Sequence, residues 1–433
     1  MELDILDWEH SLEWNPGSDI EEDGLDEPIV GENTRRRGAT EYSIEDLNMQ
    51  QVNCLNDLDR QNDEAVRSLA NPDMLSFEWS NNSAVFLGER EIFTGQSGPT
   101  FSTEGMSPFQ IFEKIWDGDI INKIVQETNR YGAHLSMDPT LLVNSEFRKW
   151  VPVTVAEIWT FFAIIMLQSI IPIPVEREYW FPRLPYLKIG DFPALMTFRR
   201  FKILKKCLHF VNNDSLCGIP SRLTKIKPII DHLNDKFSSL YLPEQNIAID
   251  ESLLLWKGRL SFAQLIANKA ARVGIKSYEL CESRTGYLWN FFIYAGKAEG
   301  ISSEVTDINE EEPKGVPAKI VHNLVRPLLN KGHTLVMDNF YNSPLLSRTL
   351  KAQKTDTMGT LRLHREFVPE SLRGKNKNNM RAGEVVFSQT QDLTIVVWKD
   401  TNVVSLISTF QKVEVGGKEK YGYYKYKPKV VLD

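Results

Sequence analysis

Cysteine is scarce in this sequence. Four occur in 433 residues, Cys54, Cys207, Cys217 and Cys281, and no two stand in a C-x-x-C pair. Neither a disulfide framework nor a structural zinc site is indicated, and a reducing compartment fits. Long apolar runs are also missing. The most apolar stretch, Trp159 to Ile171, is interrupted by Gln168 and Ser169 and followed by Pro172 and Pro174. It is too short to cross a bilayer, so no membrane partner is expected and the stretch reads as a buried helix. Positive charge is absent from the start: residues 1–30 carry eleven acids and no Lys or Arg. A secretory signal opens on a basic leader, and none is seen. No internal repeat is visible.

Hydrophobic residues make up 42%, with ten Trp and twenty-two Phe, enough for a large core and two or three domains. The net charge of −8 is unevenly divided. Residues 1–100 hold 23 acids and 6 Lys or Arg, whereas residues 101–433 hold 35 and 44. An acidic arm thus precedes a mildly basic body, which suits either a nucleic-acid partner or an ordinary enzyme with a solvated tail. The arm buries too little apolar surface to offset its ordering entropy, so residues 1–105 are expected to be disordered. Arg35-Arg36-Arg37 is the basic cluster there, a nuclear-import signal or a chance run.

From Ser107 the pattern turns helical. Ser107 caps a helix with Pro108 in its first turn, and Thr154 with Glu157 has capping-box spacing. Further helices are expected over Phe198 to Phe210 and Ile226 to Leu240, so residues 106–243 form an all-helical region. After Pro243 strands follow: Asn246 to Asp250, then Ser277 to Cys281 and Tyr287 to Tyr294 joined by a turn at Thr285-Gly286. Ala318 to Lys331 is an amphipathic helix bent at Pro327, His333 to Asp338 a fourth strand, and Ser343-Pro344 opens the next helix. Asp356 to Arg362 reads as a fifth strand. Three more strands over Glu384 to Ser388, Leu393 to Trp398 and Val403 to Ser408 make residues 367–433 a β-rich insertion after a core at 244–366.

Two of these strands each end in an aspartate, Asp250 and Asp338. The order strand, hairpin, helix, strand, helix, with acids on strands one and four, suggests an α/β fold with an RNase H-like (retroviral integrase-like) mixed sheet. There the first and fourth strands are neighbours, so the two carboxylates converge. An oxygen pair of that kind suits Mg²⁺ or Mn²⁺ and the displacement chemistry of phosphodiesters. Strand ends near solvent are the plainer reading of either acid alone.

The sequence around these acids resembles the piggyBac transposase family. It reads Asn246-Ile-Ala-Ile-Asp-Glu-Ser252, Trp256-Lys-Gly-Arg-Leu-Ser-Phe262, Asn268-Lys-Ala-Ala-Arg-Val-Gly-Ile-Lys276 and Cys281-Glu-Ser-Arg-Thr-Gly-Tyr287. Met337-Asp-Asn-Phe-Tyr-Asn-Ser343, Met358-Gly-Thr360 and Gly383-Glu-Val-Val-Phe387 follow, and Arg177-Glu-Tyr-Trp180 and Cys207-Leu-His-Phe210 lie upstream. The resemblance spans roughly residues 107–433. It implies cut-and-paste DNA transposition in the nucleus, by a dimer in which three aspartates hold two metal ions. Asp250 and Asp338 match the first two. The third, its helix and the Cys-rich module after it would follow Pro428-Lys-Val-Val-Leu-Asp433, so the final core helix is expected to be missing. Asp400 and Asp433 are poor substitutes. The expectation is a transposase-derived DNA-binding protein without full transposase activity. The alternatives are an active transposase, if this is part of a longer chain, or a truncated product without function. Arg272 and Lys276 contact DNA phosphates or are plain surface residues. Arg373, Lys375, Lys377 and Arg381 form a basic loop with the same two readings.

Overall fold

The computed structural model describes residues 72–183, 190–216, 222–256, 258, 260–266, 273–296, 316–420 and 423–428. They divide into two compact units, one within residues 121–212 and one within residues 72–120 and 213–428. Helices in chain order are α1 (Pro108–Ile115), α2 (Gly118–Ser136), α3 (Val155–Ile170), α4 (Phe192–Leu195), α5 (Phe198–Cys207), α6 (Lys227–Leu240), α7 (Val316–Val325), α8 (Pro344–Ala352) and α9 (Glu370–Arg373).

In the first unit, Thr154 and Glu157 form the capping box that starts α3. Glu157 also receives two bonds of 2.9 Å from Arg200 of α5, which ties the two helices together. Ile158, Phe161, Ile164, Phe201, Leu204 and Cys207 are buried, and the Phe161 and Phe201 ring centroids lie 5.2 Å apart. The expected buried helix forms and buries Ile158, Phe161 and Ile164, but Met166 is 45% and Ile170 74% exposed. An unbroken apolar run does not say which turn faces the core. Burial pushes the Cys207 thiol up to about 11, and Cys207 and Cys281 are free. Cys54 and Cys217 lie outside the described residues.

In the second unit, strands β1 (Gly98–Pro99) and β2 (Tyr241–Leu242) pair with each other. The main sheet comprises β3 (Asn246–Leu255), β4 (Gln264–Leu265), β5 (Val273–Glu282), β6 (Leu288–Ile293), β7 (Thr334–Met337), β8 (Asp356–Thr360), β9 (Val385–Gln389), β10 (Thr394–Lys399) and β11 (Val403–Ser408). Its order is β4-β5-β3-β7-β8-β11-β10-β9, with β6 on β5. The pairs β3/β7 and β7/β8 are parallel and the rest antiparallel, so the fold is mixed α/β with a mixed sheet. β12 (Val415–Lys420) and β13 (Tyr423–Pro428) form a separate hairpin. One sheet face packs on α7 and α8, with Ile247, Ile249, Leu335 and Met337 against Ile320, Leu324, Leu345 and Leu346. Ser343 caps α8 through the Leu346 N–H, and Pro327 turns the end of α7 into a short 3₁₀ segment.

Three expectations change. β3 does not stop at Asp250 but continues to Leu255, so that aspartate lies inside the strand. The helical region is not one block: α6 packs with the sheet unit, where the Asn234 amide donates to Phe291 O at 2.9 Å. Of the arm expected to be disordered, residues 1–71 lie outside the described residues and residues 72–105 are ordered. Residues 72–99 form a strap along the sheet unit, its backbone bonded to Gln389, Gln391 and Lys331. Phe77, Trp79, Phe86 and Phe93 anchor it, apolar payload that the acidic average of the arm conceals.

Candidate metal site

Parallel register pairs Ile249 of β3 with Met337 of β7. Asp250 and Asp338 are the next residues on, and registered Cα atoms on neighbouring strands lie roughly 5 Å apart. Ile249 and Met337 face the helix-covered core, so alternation turns Asp250 to the opposite face, where it is exposed. Asp338 is half-buried just beyond β7.

The loop after β7 is closely tied. Asp338 Oδ1 accepts the Phe340 N–H at 2.9 Å, and its carbonyl accepts from Tyr341 and Asn342. The Asn342 amide donates to Met337 O and Thr360 O, both at 2.9 Å, which joins the loop to the end of β8. Gly359 at that end has φ +155°, and a Cβ there would stand 1.7 Å from Met337 O. Only glycine lets the two strand ends approach this closely.

Burial holds the Asp338 carboxyl above the ordinary carboxylate range; the charges of Glu251 and Asp250 add to it, against the Phe340 N–H and Arg362. Glu251 lies on the other face of β3, with Tyr341 Oη 3.5 Å from its Oε2. Burial above all, then Glu251, pushes the Tyr341 hydroxyl far above the usual tyrosine range, so it keeps its proton. A further acid, Glu279, stands opposite Asp250 in the antiparallel β3/β5 pair. Like charges in that position repel. Glu279 Oε1 instead accepts from the Ser252 hydroxyl and, at 2.6 Å, from that of Ser277.

The side chains that follow the last registered pair on β3 and β7 are both carboxylates, whose oxygens suit Mg²⁺ or Mn²⁺ rather than zinc or copper. Among the described residues, no group of three or more His, Cys, Asp or Glu is placed to share one ion. Asp400 lies in the turn between β10 and β11, on the far side of β8 from the pair. Asp433 and Arg35-Arg36-Arg37 lie outside the described residues.

Of the candidate DNA-binding residues, Lys276 is close to this site but not as a solvated side chain. Its ammonium lies 4.7 Å from the Tyr278 ring centroid and 5.1 Å from that of Phe340. Arg272 lies outside the described residues. Arg373, Lys375, Lys377 and Arg381 belong to the β9–β11 side of the sheet. Their segment is folded rather than loose: Asn376 and Asn379 bond within it, Met380 is buried, and Lys399 caps the Lys377 and Met380 carbonyls. Arg373, Lys377 and Arg381 are exposed. The residue-level reading missed Glu251, Glu279 and Arg362. The first was visible as the neighbour of Asp250, but only strand register places the second.

Residues 107–431 match the family model described as Transposase IS4. The chain is 24% identical over 319 residues to PiggyBac transposable element-derived protein 2 of Homo sapiens, covering 72% of this chain and 50% of that protein. It is 26% identical over 318 residues to PiggyBac transposable element-derived protein 3 of Homo sapiens, covering 71% and 49%. The chain belongs to the piggyBac transposase family. This piggyBac-family chain spans about half the length of the curated relatives it matches. Its fold is that of a piggyBac transposase solved by cryo-EM as a synaptic complex with hairpin DNA, at a TM-score of 0.63 and 23% identity. The likeness covers 78% of this chain and 67% of the other.

Proposed function

We propose that this piggyBac-family chain is a transposase-derived DNA-binding protein of the nucleus, in which Asp250 and Asp338 form a divalent-cation site. The observation that supports the cation site is the β3/β7 register, which pairs the residues immediately before the two aspartates. The strand order β6-β5-β3-β7-β8, with β3 and β7 parallel, supports an RNase H-like reading of the central sheet. On that reading β9–β11 are an insertion that lengthens the sheet. The residues fit Mg²⁺ or Mn²⁺: both are oxygen donors, and burial with the Glu251 and Asp250 charges raises the Asp338 carboxyl, a charge penalty that a cation relieves. When bound, such an ion would polarise a phosphodiester oxygen. The chain's own part is to hold Asp338 through the Phe340 N–H and the Asn342 ties, and to keep Tyr341 protonated beside Glu251.

DNA recognition is supported by the basic excess of residues 101–433 and by the exposed Arg373, Lys377 and Arg381. The fold neighbour is itself bound to DNA. DNA binding is the activity we assign, with a dimer as the working assembly.

Duplex binding should weaken steeply with salt, because bound cations displace counterions, with a slope near −0.9 per phosphate contact. Replacing Arg373, Lys375, Lys377 and Arg381 together with glutamine should flatten that slope. Binding that is absent at low salt, or independent of salt, contradicts the reading. A second reading is metal-dependent DNA cleavage, the chemistry that a carboxylate-held divalent ion supplies at a phosphodiester. Nicking in Mn²⁺ that disappears in Asp250→Ala and Asp338→Ala would establish it.

A further inference from the structure

We propose that Phe77 and Trp79 of the strap position the Asp338 loop, acting through Phe367 and Arg365; the consequence for cation binding rests on the site reading above. The strap is fixed where it meets α8 and the segment after β8. The Arg348 guanidinium lies 3.8 Å from the Phe77 ring centroid and donates to Met74 O at 2.9 Å and Ser76 O at 2.5 Å. Asp392 holds Arg348 in turn with bonds of 2.7 and 2.8 Å. Phe77 stacks on Phe367 with ring centroids 4.7 Å apart, and Trp79 Nε1 donates to Phe367 O at 2.8 Å. Two strap aromatics therefore grip one residue, one by its ring and one by its carbonyl.

That residue is unusual. Phe367 has φ +63°, a left-handed conformation that is unfavourable for a bulky side chain. Such a conformation persists only where its surroundings hold it, and they cluster where geometry matters for function. The turn it closes carries Arg365, whose side chain is wholly buried. Arg365 Nη2 donates to Phe340 O at 2.7 Å, and Arg362 Nε donates to Asn339 Oδ1 at 3.1 Å. The turn thus holds the two residues directly after Asp338, and the Phe340 N–H holds the Asp338 carboxylate. From Trp79 to Asp338 the path runs through hydrogen bonds and one short backbone turn. Release of the strap lets Phe367 relax to negative φ. Arg365 then turns away, and Asp338 loses a fixed position beside Asp250.

The test is hydrogen exchange of the Phe340, Tyr341 and Asn342 amides in the full chain, together with Mn²⁺ affinity. All three amides bond to Asp338, so they report the loop directly. Trp79→Ala should speed their exchange by roughly tenfold or more, as local opening becomes easier, and weaken Mn²⁺ binding. Phe93→Ala loosens the other end of the strap, where Phe93 packs on His333, and should leave both readouts unchanged. Arg365→Lys, which keeps a donor, should recover much of what Arg365→Met loses. Wild-type loop exchange in Trp79→Ala and Arg365→Met, with only a lower melting temperature, overturns the proposal. Should Trp79→Ala fail to fold, Trp79→Phe keeps the ring, loses the bond to Phe367 O and decides by the same readout. A wild-type chain that binds no Mn²⁺ removes the cation reading, and the exchange data alone then decide the positioning role.

Discussion

Replacing Asp250 and Asp338 together with asparagine should abolish Mn²⁺ binding, and Asp338→Asn alone should weaken it severely. On the proposed reading both carboxylates donate to the ion, and an amide oxygen gives neither the charge nor the second donor atom of a carboxylate. The loss should exceed the roughly 10–100-fold that removal of an outer-shell partner costs. The same substitution should have the opposite effect on the ion-free fold. Burial, with Glu251 and Asp250 nearby, raises the Asp338 carboxyl above its unfolded value. The folded state therefore holds that proton more tightly. Its contribution to stability is full below the unfolded value and is lost as pH rises through the folded one. At neutral pH with chelator, Asp338→Asn should melt above the wild type. Added Mn²⁺ should raise the melting temperature of the wild type and not of the variant. A variant that melts lower in chelator would mean that the carboxylate is a structural anchor and not a repelled charge.

Asp356→Ala should be the most destabilising change away from the site. Asp356 starts β8 and is wholly buried. It accepts from Lys351 Nζ at 2.8 Å, Thr409 Oγ1 at 2.9 Å and the Glu91 N–H at 2.6 Å, and so joins α8, the segment after β11 and the strap. Burial alone would lower the Lys351 ammonium, yet its bonds to Asp356 and Glu91 hold it above the ordinary lysine range. Removing one partner of a buried pair costs about 3–5 kcal/mol. Lys351 keeps Glu91 at 2.7 Å, which places the loss near about 3 kcal/mol. Lys351 stays charged through the neutral range, so the loss should hardly change there. Denaturant unfolding of the two chains measures it, and a difference below about 1 kcal/mol would show that the strap makes no such anchor.

How much of this was legible in the residues depends on how local the cause is. Ser107, Thr154 and Ser343 announce their helices because a cap is made by residues three apart. Asp250 and Asp338 stand out because each follows a short apolar strand, and the order of elements makes those strands neighbours. The end of β3 is not legible because Leu253, Leu254 and Leu255 continue the strand without alternating apolar and polar residues. Long-range partners were invisible. Lys276 reads as a phosphate contact or a plain surface residue, yet its ammonium lies on two rings, and nothing in the sequence marks Arg365 as the cation buried against a carbonyl. The strap is concealed by composition: four aromatics among many acids do not move an average, but Phe77, Trp79 and Phe93 pack on the sheet unit and Phe86 is buried. Glu279 could be paired with Asp250 only through register, which no single strand encodes.

The central claim is that one ion lies between two segments far apart in the chain. Iron-mediated cleavage tests this most directly. Fe²⁺ is bound in place of Mg²⁺, ascorbate and peroxide are added, and the polypeptide breaks are mapped by mass spectrometry. The account predicts breaks both around Asp250 and around Asp338 to Phe340, suppressed together by excess Mn²⁺. Breaks at one segment without the other, or breaks scattered along the chain and indifferent to Mn²⁺, would contradict it.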